Sequence, residues 1–332
     1  MPDSLDLSLL AGTATDFARD NREHIASKLL NPGMNGIPGT PIKPMMDYVT
    51  PIVSKDEVVL TEFIFGNMLQ PDKRNGFTPL NDRVKLKPRR AKVKPAKINL
   101  RFTETQLVAM NKSYYGMIQG PQSKLILDRI PVFEAYINEK IVEKAQSELR
   151  NISMFMGVLN ANNAAPAGIM NGLRTKWDAD ILSGEIPAGN IVTINAITTA
   201  NAVTEIKKIM GKVPAAYRYT NRLICLISPE HMDAYEQHYQ TSRGALPYNS
   251  SFEKKYIEGS MIEFFVEPGM SGYETPVITT KGNVCWLYDD DASTFSLTFD
   301  YNKRDEDLAY ILKFQNEIDY ALAEELWFGN VL

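Results

Sequence analysis

From Asp128 to Gly157, apolar residues recur in steps of three and four: Ile130, Phe133, Ile137, Ile141, Ala145, Leu149, Ile152 and Met156. That spacing keeps one face of an α-helix apolar. Glu134, Lys140, Glu143, Lys144, Glu148 and Arg150 fall largely off the stripe. Asp128 is placed to cap the start, Pro131 suits a first turn because its missing N–H is not needed there, and Gly157 can end the helix. The pattern predicts one helix over 128–157, roughly 35–40 Å long at 1.5 Å per residue. A helix that long with a single stripe is expected to lie across a sheet as a spine.

The pattern changes on either side. A short amphipathic helix is expected over Thr15–Leu30, marked by Phe17, Ile25 and Leu29. Residues 31–53 (NPGMNGIPGTPIKPMMDYVTPIV) are dense in Pro and Gly, so they neither continue a helix nor pair as a central strand. They carry Met34, Ile37, Ile42, Met45, Met46 and Tyr48 where a flexible linker would carry Ser and charge. Residues 1–54 therefore read as an arm laid along a surface, its own or a neighbour's. Residues 56–66 (DEVVLTEFIFG) alternate as a strand, and Asn75-Gly76 is a turn pair.

Arg83–Phe102 then holds Arg83, Lys85, Lys87, Arg89, Arg90, Lys92, Lys94, Lys97 and Arg101 without one acid. The alternation is strand-like, and Pro88 and Pro95 exclude a central position. Residues 55–103 thus predict a two-stranded excursion, which needs something to rest on. After the spine, residues 158–192 read as turns with short apolar pieces. Asn195–Met210 has helical spacing, Arg222–Ile227 is a short buried strand, and Ser228-Pro229 opens a helix running to about Gln240. Met261–Glu267, Asn283–Tyr288, Ser293–Tyr301 and Asp307–Ile318 read as strands, and the chain closes with Tyr320–Phe328. The fold class is α+β.

Composition adds mainly exclusions. With 332 residues, 44% apolar and 23% charged, the chain can bury a sizeable core. The net charge of −4 gives no global attraction to nucleic acid or anionic membrane. No apolar run is long enough to span a bilayer, and the N-terminus lacks the basic start and apolar core of a secretory signal. Cys225 and Cys285, the only cysteines, sit inside apolar runs and are expected as buried free thiols, which fits a reducing compartment.

Candidate chemistry is sparse. The sequence has no phosphate loop, dinucleotide fingerprint or nucleophile elbow. His231 and His238 share a helical face but lie two turns apart, too far to chelate one metal. Asp289-Asp290-Asp291 are three consecutive carboxylates that cannot converge from a strand, so a solvated turn is the better reading. No cofactor, metal or catalytic residue is expected. The basic run has two readings. A nucleic-acid-binding hairpin over 83–101 has the charge but lacks interleaved aromatics for base stacking. The favoured reading is structural: Lys and Pro guarding an edge, or pairing with acids of another subunit.

The order of parts resembles the major capsid proteins of tailed bacteriophages, the Hong Kong 97-like fold shared with encapsulins. The resemblance rests on layout. Residues 217–239 (YRYTNRLICLISPEHMDAYEQHY) are similar to the family's strand followed by a helix. Residues 256–270 (YIEGSMIEFFVEPGM) are similar to its glycine-then-apolar strand, and residues 294–322 (TFSLTFDYNKRDEDLAYILKFQNEIDYAL) to its terminal strand pair. The resemblance implies an N-terminal arm (1–54), an extended loop (55–103), a peripheral domain (104–192 with 292–332) and an axial domain (193–291).

It further implies a non-enzymatic shell subunit whose copies form hexamers and pentamers of an icosahedral head around double-stranded DNA. Such a head is a virion component assembled in the bacterial host cytoplasm, without a membrane. The chain has no room for the helical assembly segment that some members carry before the arm. A separate scaffolding protein is therefore expected, with a portal and decoration proteins as further partners. The inter-subunit contacts expected are Phe17, Met34, Met45, Met46 and Tyr48 of the arm, and Arg83, Lys85, Lys87, Arg89, Arg90, Lys92 and Lys94 of the excursion. Some members form a lysine–asparagine cross-link. By place alone Lys85, Lys87, Lys92, Lys94 and Lys97 qualify for it, and none is singled out.

Overall fold

The computed structural model describes residues 7–30, 43–65, 84–119, 133–162, 164–243, 256–289, 291 and 295–331. Met34, Arg83, the Asn75-Gly76 turn, the start of the spine at Asp128 and Asp290 lie outside these residues.

The chain opens with α1 (Leu7–Asp20) and α2 (Arg22–Leu30), two helices where the spacing predicts one over Thr15–Leu30. They meet at Asn21, whose side-chain amide and backbone N–H both donate to the Phe17 carbonyl. Both pack against the chain itself: Leu10, Ala14, Ala18, Ile25 and Leu29 are buried. After Lys43 the chain enters β1 (Val49–Val53) and then a two-stranded ribbon of β2 (Glu57–Phe65) and β3 (Val84–Lys92). Only Val93 separates β3 from β4 (Lys94–Thr103), so ribbon and main sheet are one continuous piece of chain.

Next comes α3 (Glu104–Gln119), a helix not expected from the pattern. Its opening is a T-x-x-Q capping arrangement in which Gln106 Oε1 accepts the Thr103 N–H at 3.1 Å.

The spine is present from Phe133, with α4 over Phe133–Glu148. It does not continue as a uniform α-helix. Leu149–Ser153 form a π-turn, and Met154–Met156 complete the last turn before Gly157. The π-turn inserts one residue, so the stripe holds through Ile137, the half-buried Ile141 (with Val142 buried beside it), Ala145 and Leu149 and then slips. Ser153, Met154 and Phe155 are buried, while the expected stripe member Ile152 is exposed. Arg150, read as an off-stripe charge, turns inward for the same reason. Gly157 ends the helix by close approach: an added Cβ would stand 2.4 Å from the Ser153 carbonyl and 2.6 Å from that of Met170.

Residues 158–192, read as turns, contain α5 (Leu173–Ser183), whose Leu173 and Trp177 are buried. β5 (Ile191–Ile194) follows. The expected helix Asn195–Met210 begins only at Ala202, as α6 (Ala202–Lys212). Asn201 Oδ1 accepts the Thr198 N–H at 2.7 Å, a local bond that holds 195–201 as a loop. β6 (Leu223–Ile227) leads to α7 (Pro229–Arg243), with Ser228 Oγ accepting the His231 N–H as the expected cap. Then come β7 (Glu263–Val266), β8 (Val277–Thr280), β9 (Val284–Tyr288), β10 (Ser296–Asn302), β11 (Asp307–Tyr320) and β12 (Leu326–Val331).

The strands assemble into two five-stranded sheets. One has the order β1-β9-β11-β10, with β4 on the other side of β11 and antiparallel to it from Lys94↔Asn316 to Thr103↔Asp307. The second has the order β5-β12-β8-β6-β7. Alternation along β11 sends Tyr310, Leu312, Phe314 and Ile318 into a core shared with Val142, Leu149, Met154 and Phe155 of the spine, so the spine does lie across this sheet. β6 is buried throughout, sandwiched between the main core and a second one built with α6 and α7.

Candidate subunit interface

The β2–β3 ribbon has two unlike faces. Cross-strand pairs Val58↔Ala91 and Leu60↔Arg89 belong to the inner face, where Leu60 and Ala91 cluster with Val93, Cys285 and Leu287. Pairs Glu57↔Lys92 and Val59↔Arg90, with Pro88 and Leu86 farther along β3, form the outer face. There Val59 is 50% and Leu86 61% exposed, beside exposed Pro88, Arg90 and Lys92. This apolar strip with charged margins is covered by nothing among the described residues.

The excursion's cations are mostly matched within the chain. Lys87 Nζ lies 2.9 Å from Glu185 Oε1 and donates to the Glu185 carbonyl. Arg90 reaches Glu57 at 3.3 Å and Lys92 reaches Asp56 at 2.9 Å. Arg89 roots the ribbon: its guanidinium binds Asp319 at 2.6 Å and Asp180 at 2.8 Å, and sits 3.9 Å above the Tyr320 ring. Lys176 of α5 reaches Glu317 and Asp319 at 2.9 and 3.0 Å from the other side. Burial alone would lower the Arg89 pKa; Asp319, then Tyr320 and Asp180, outweigh it and hold the group above its ordinary value. Burial is also the main cause raising Glu317, against the pull of Lys176. Lys94 and Lys97 have no ion partner among the described residues, and the Lys85 side chain lies outside them.

The structure places the arm residues differently. Met45 and Tyr48 are 2% and 1% exposed within the chain's own core, and Tyr48 meets the Phe265 ring edge-on at 5.2 Å. Phe17 and Met46 are half-buried. Sequence reasoning missed the group that holds this segment down. Arg150, turned inward by the π-turn, makes a two-pronged pair with Glu267 at 2.8 and 3.1 Å and donates to the Lys43 carbonyl at 2.8 Å. The Arg150 and Glu267 side chains are 5% and 0% exposed. Burial pushes the Glu267 carboxyl up, opposed by Arg150. Nearby, Lys43 and Lys281 both hold Glu263 on β7. A charge beside an apolar stripe gives no signal for a π-turn.

The residues weighed for chemistry are engaged structurally. His238 Nδ1 accepts the Val203 N–H at 3.0 Å, and burial pushes the His231 pKa down, with Glu230 opposing. Asp289 is buried and accepts the Asp291 N–H at 2.9 Å, while Asp291 pairs with Lys55. Burial pushes the Cys225 thiol up, and both cysteines are free and buried. Among the described residues no group of His, Cys, Asp or Glu is arranged to hold a metal, and no helix is long and apolar enough to cross a membrane.

No family model matches the sequence, and no curated protein matches it. Solved structures do. The chain is similar to a subunit of the satellite phage P4 procapsid that includes the size determination protein. The TM-score is 0.53 at 12% identity, covering 84% of this chain and 92% of that one. It is also similar to the capsid of an empty GTA particle, with a TM-score of 0.55 at 8% identity, covering 90% of this chain and 93% of that one. At such identities the likeness is one of fold. The chain has the α+β, Hong Kong 97-like capsid fold.

Proposed function

We propose that this protein is a shell subunit: many copies close, through pentamers and hexamers, into an icosahedral head of the tailed-phage type around double-stranded DNA. The observation that carries the reading is the likeness to capsid subunits over 84–90% of the chain. In this reading residues 55–103 are the extended loop, 104–192 with 292–332 the peripheral domain and 193–291 the axial domain. The outer face of the ribbon, with Leu86, Arg90 and Lys92, and the half-buried Phe17 and Met46 make the contacts between copies, while Met45, Tyr48 and Arg89 serve the chain's own core. A scaffolding protein, a portal and decoration proteins complete the particle, and the subunit is a structural rather than a catalytic component of the virion.

The nucleic-acid reading of 83–101 loses ground on charge. Lys87, Arg89, Arg90 and Lys92 are each matched by a carboxylate of the same chain, so few counterions would be released on binding phosphate. Sedimentation of the full chain beside an R90E/K92E variant, together with anisotropy of a labelled DNA duplex, separates the two. The shell reading expects large assemblies that the variant weakens, and no tight duplex binding at moderate salt. A small, non-assembling species that binds the duplex with a steep salt dependence would overturn it.

A further inference from the structure

A cleft of about 890 Å³ lies beside β4, walled by the spine and by residues 159–162 and 164–169. Leu149, Leu159, Ile169 and Phe314 line it, with Lys94 and Lys97 at the β4 side. Three features converge there. First, β4 pairs only with β11 among the described strands, so a strand ten residues long presents one edge of backbone N–H and C=O groups unpaired. Second, Lys97 stands directly opposite Lys313 in the β4–β11 register, a cross-strand pair of like charges that is destabilising when nothing neutralises it. Lys94, Lys97 and Lys313 have no ion partner among the described residues, unlike the neighbouring cations Arg89, Arg90 and Lys92. Third, the wall has an apolar part, Ala145, Leu149, Ile169 and Phe314, beside Asn99, Asn160, Asn162 and Glu148, whose carboxylate is paired with Lys144, and the apolar part continues outward through Leu159, 42% exposed, and Val158, 58% exposed. Pro95 and the lysines guard this edge against unspecific pairing, and the same features select a partner.

We propose that the outer edge of β4 is a docking groove for an extended, carboxylate-bearing segment of a separate protein, which joins the sheet as a further strand. Its backbone continues the β4 ladder, its alternate apolar side chains enter the cleft, and its acids meet Lys97 and Lys313. A second copy of this chain docking through the same edge is the poorer occupant, because its own Lys97 and Lys313 would bring like charges to the seam. The inference goes beyond shell formation and does not depend on it.

Labelled, end-capped octapeptides test it by fluorescence anisotropy against the full-length chain: one alternating Glu and Val, one alternating Lys and Val, and the acidic one N-methylated at alternate residues. The acidic peptide is expected to bind at least tenfold more tightly than the other two, and less tightly as salt rises. K97E/K313E, two substitutions at exposed positions checked for folding by circular dichroism, is expected to reverse the order of the acidic and basic peptides. Binding of none of the peptides, equal binding of acidic and basic ones, or an N-methylated peptide that binds as well overturns the proposal. So does a K97E/K313E variant that loses self-association while its peptide binding is unchanged, a result that assigns the edge to a second copy.

Discussion

Replacing Arg150 by Met tests whether the buried pair on the π-turn ties three parts of the chain together. The substitution removes both bonds to Glu267 and the donor to the Lys43 carbonyl, and leaves a carboxylate with no exposed side-chain surface and no counterion. Breaking one side of a buried pair costs about 3–5 kcal/mol, whereas replacing both partners by apolar groups of similar volume is often close to neutral. R150M should therefore lose about 3–5 kcal/mol in urea unfolding followed by tryptophan fluorescence and circular dichroism. R150M/E267L should lie within about 1–2 kcal/mol of the parent, the remainder being the Lys43 carbonyl left without its donor.

The loss should also depend on pH. Burial already pushes the Glu267 carboxyl up against Arg150, and without Arg150 it rises further. The folded variant then holds a proton that the unfolded chain releases above about pH 4.3, so its stability falls as pH rises through that window. The R150M deficit should shrink as pH is lowered from about 7 towards 5. A double variant as unstable as the single one, or a deficit independent of pH, would refute the reasoning.

Three further outcomes follow from the same geometry. R89M removes the ribbon's root and leaves Asp319 and Asp180 half-matched, so it should cost about 2–4 kcal/mol and speed hydrogen exchange in β2 and β3 before the rest of the sheet; uniform exchange would contradict it. G269A should cost about 1–3 kcal/mol, because its Cβ would meet the Arg150 carbonyl at 2.5 Å and the Phe155 ring at 2.7 Å; a neutral change would mean that the π-turn gives way freely. Burial works to raise the Glu263 carboxyl, but hydrogen bonds from Lys43 and Lys281 prevail and hold it below its ordinary value. Its contribution is present above the unfolded pKa and is lost as pH falls through the folded one, so parent and E263Q stabilities should converge between about pH 5 and 3; a constant gap would contradict the clamp.

What the sequence made legible was whatever repeats at short range. The spine stripe, the capped helix at Ser228 and the terminal strands are visible because each burial pattern is periodic in the chain itself. α3 is equally legible in its Thr103-x-x-Gln106 opening, directly after the basic run. α5 hid between glycines and prolines, where Leu173 and Trp177 alone mark the buried face. The π-turn had no local signal: Glu267, the partner of the Arg150 that it turns inward, lies more than a hundred residues away, and only the fold brings the two together. Charge counting misled for the same reason. The excursion looks uniformly basic in sequence, yet Asp180, Glu185 and Asp319 arrive from α5, its following turn and β11 to match it. Met45 and Tyr48 read as an arm for a neighbour because their own core is assembled from β7 and the spine, which follow much later.

The most direct test of the shell account is electron microscopy of the purified full-length chain, with sizing, across concentration and salt. Closed shells, or rings of five and six subunits, are the expected result. A chain that stays monomeric under every condition, alone and when coexpressed with its neighbouring genes, would contradict it.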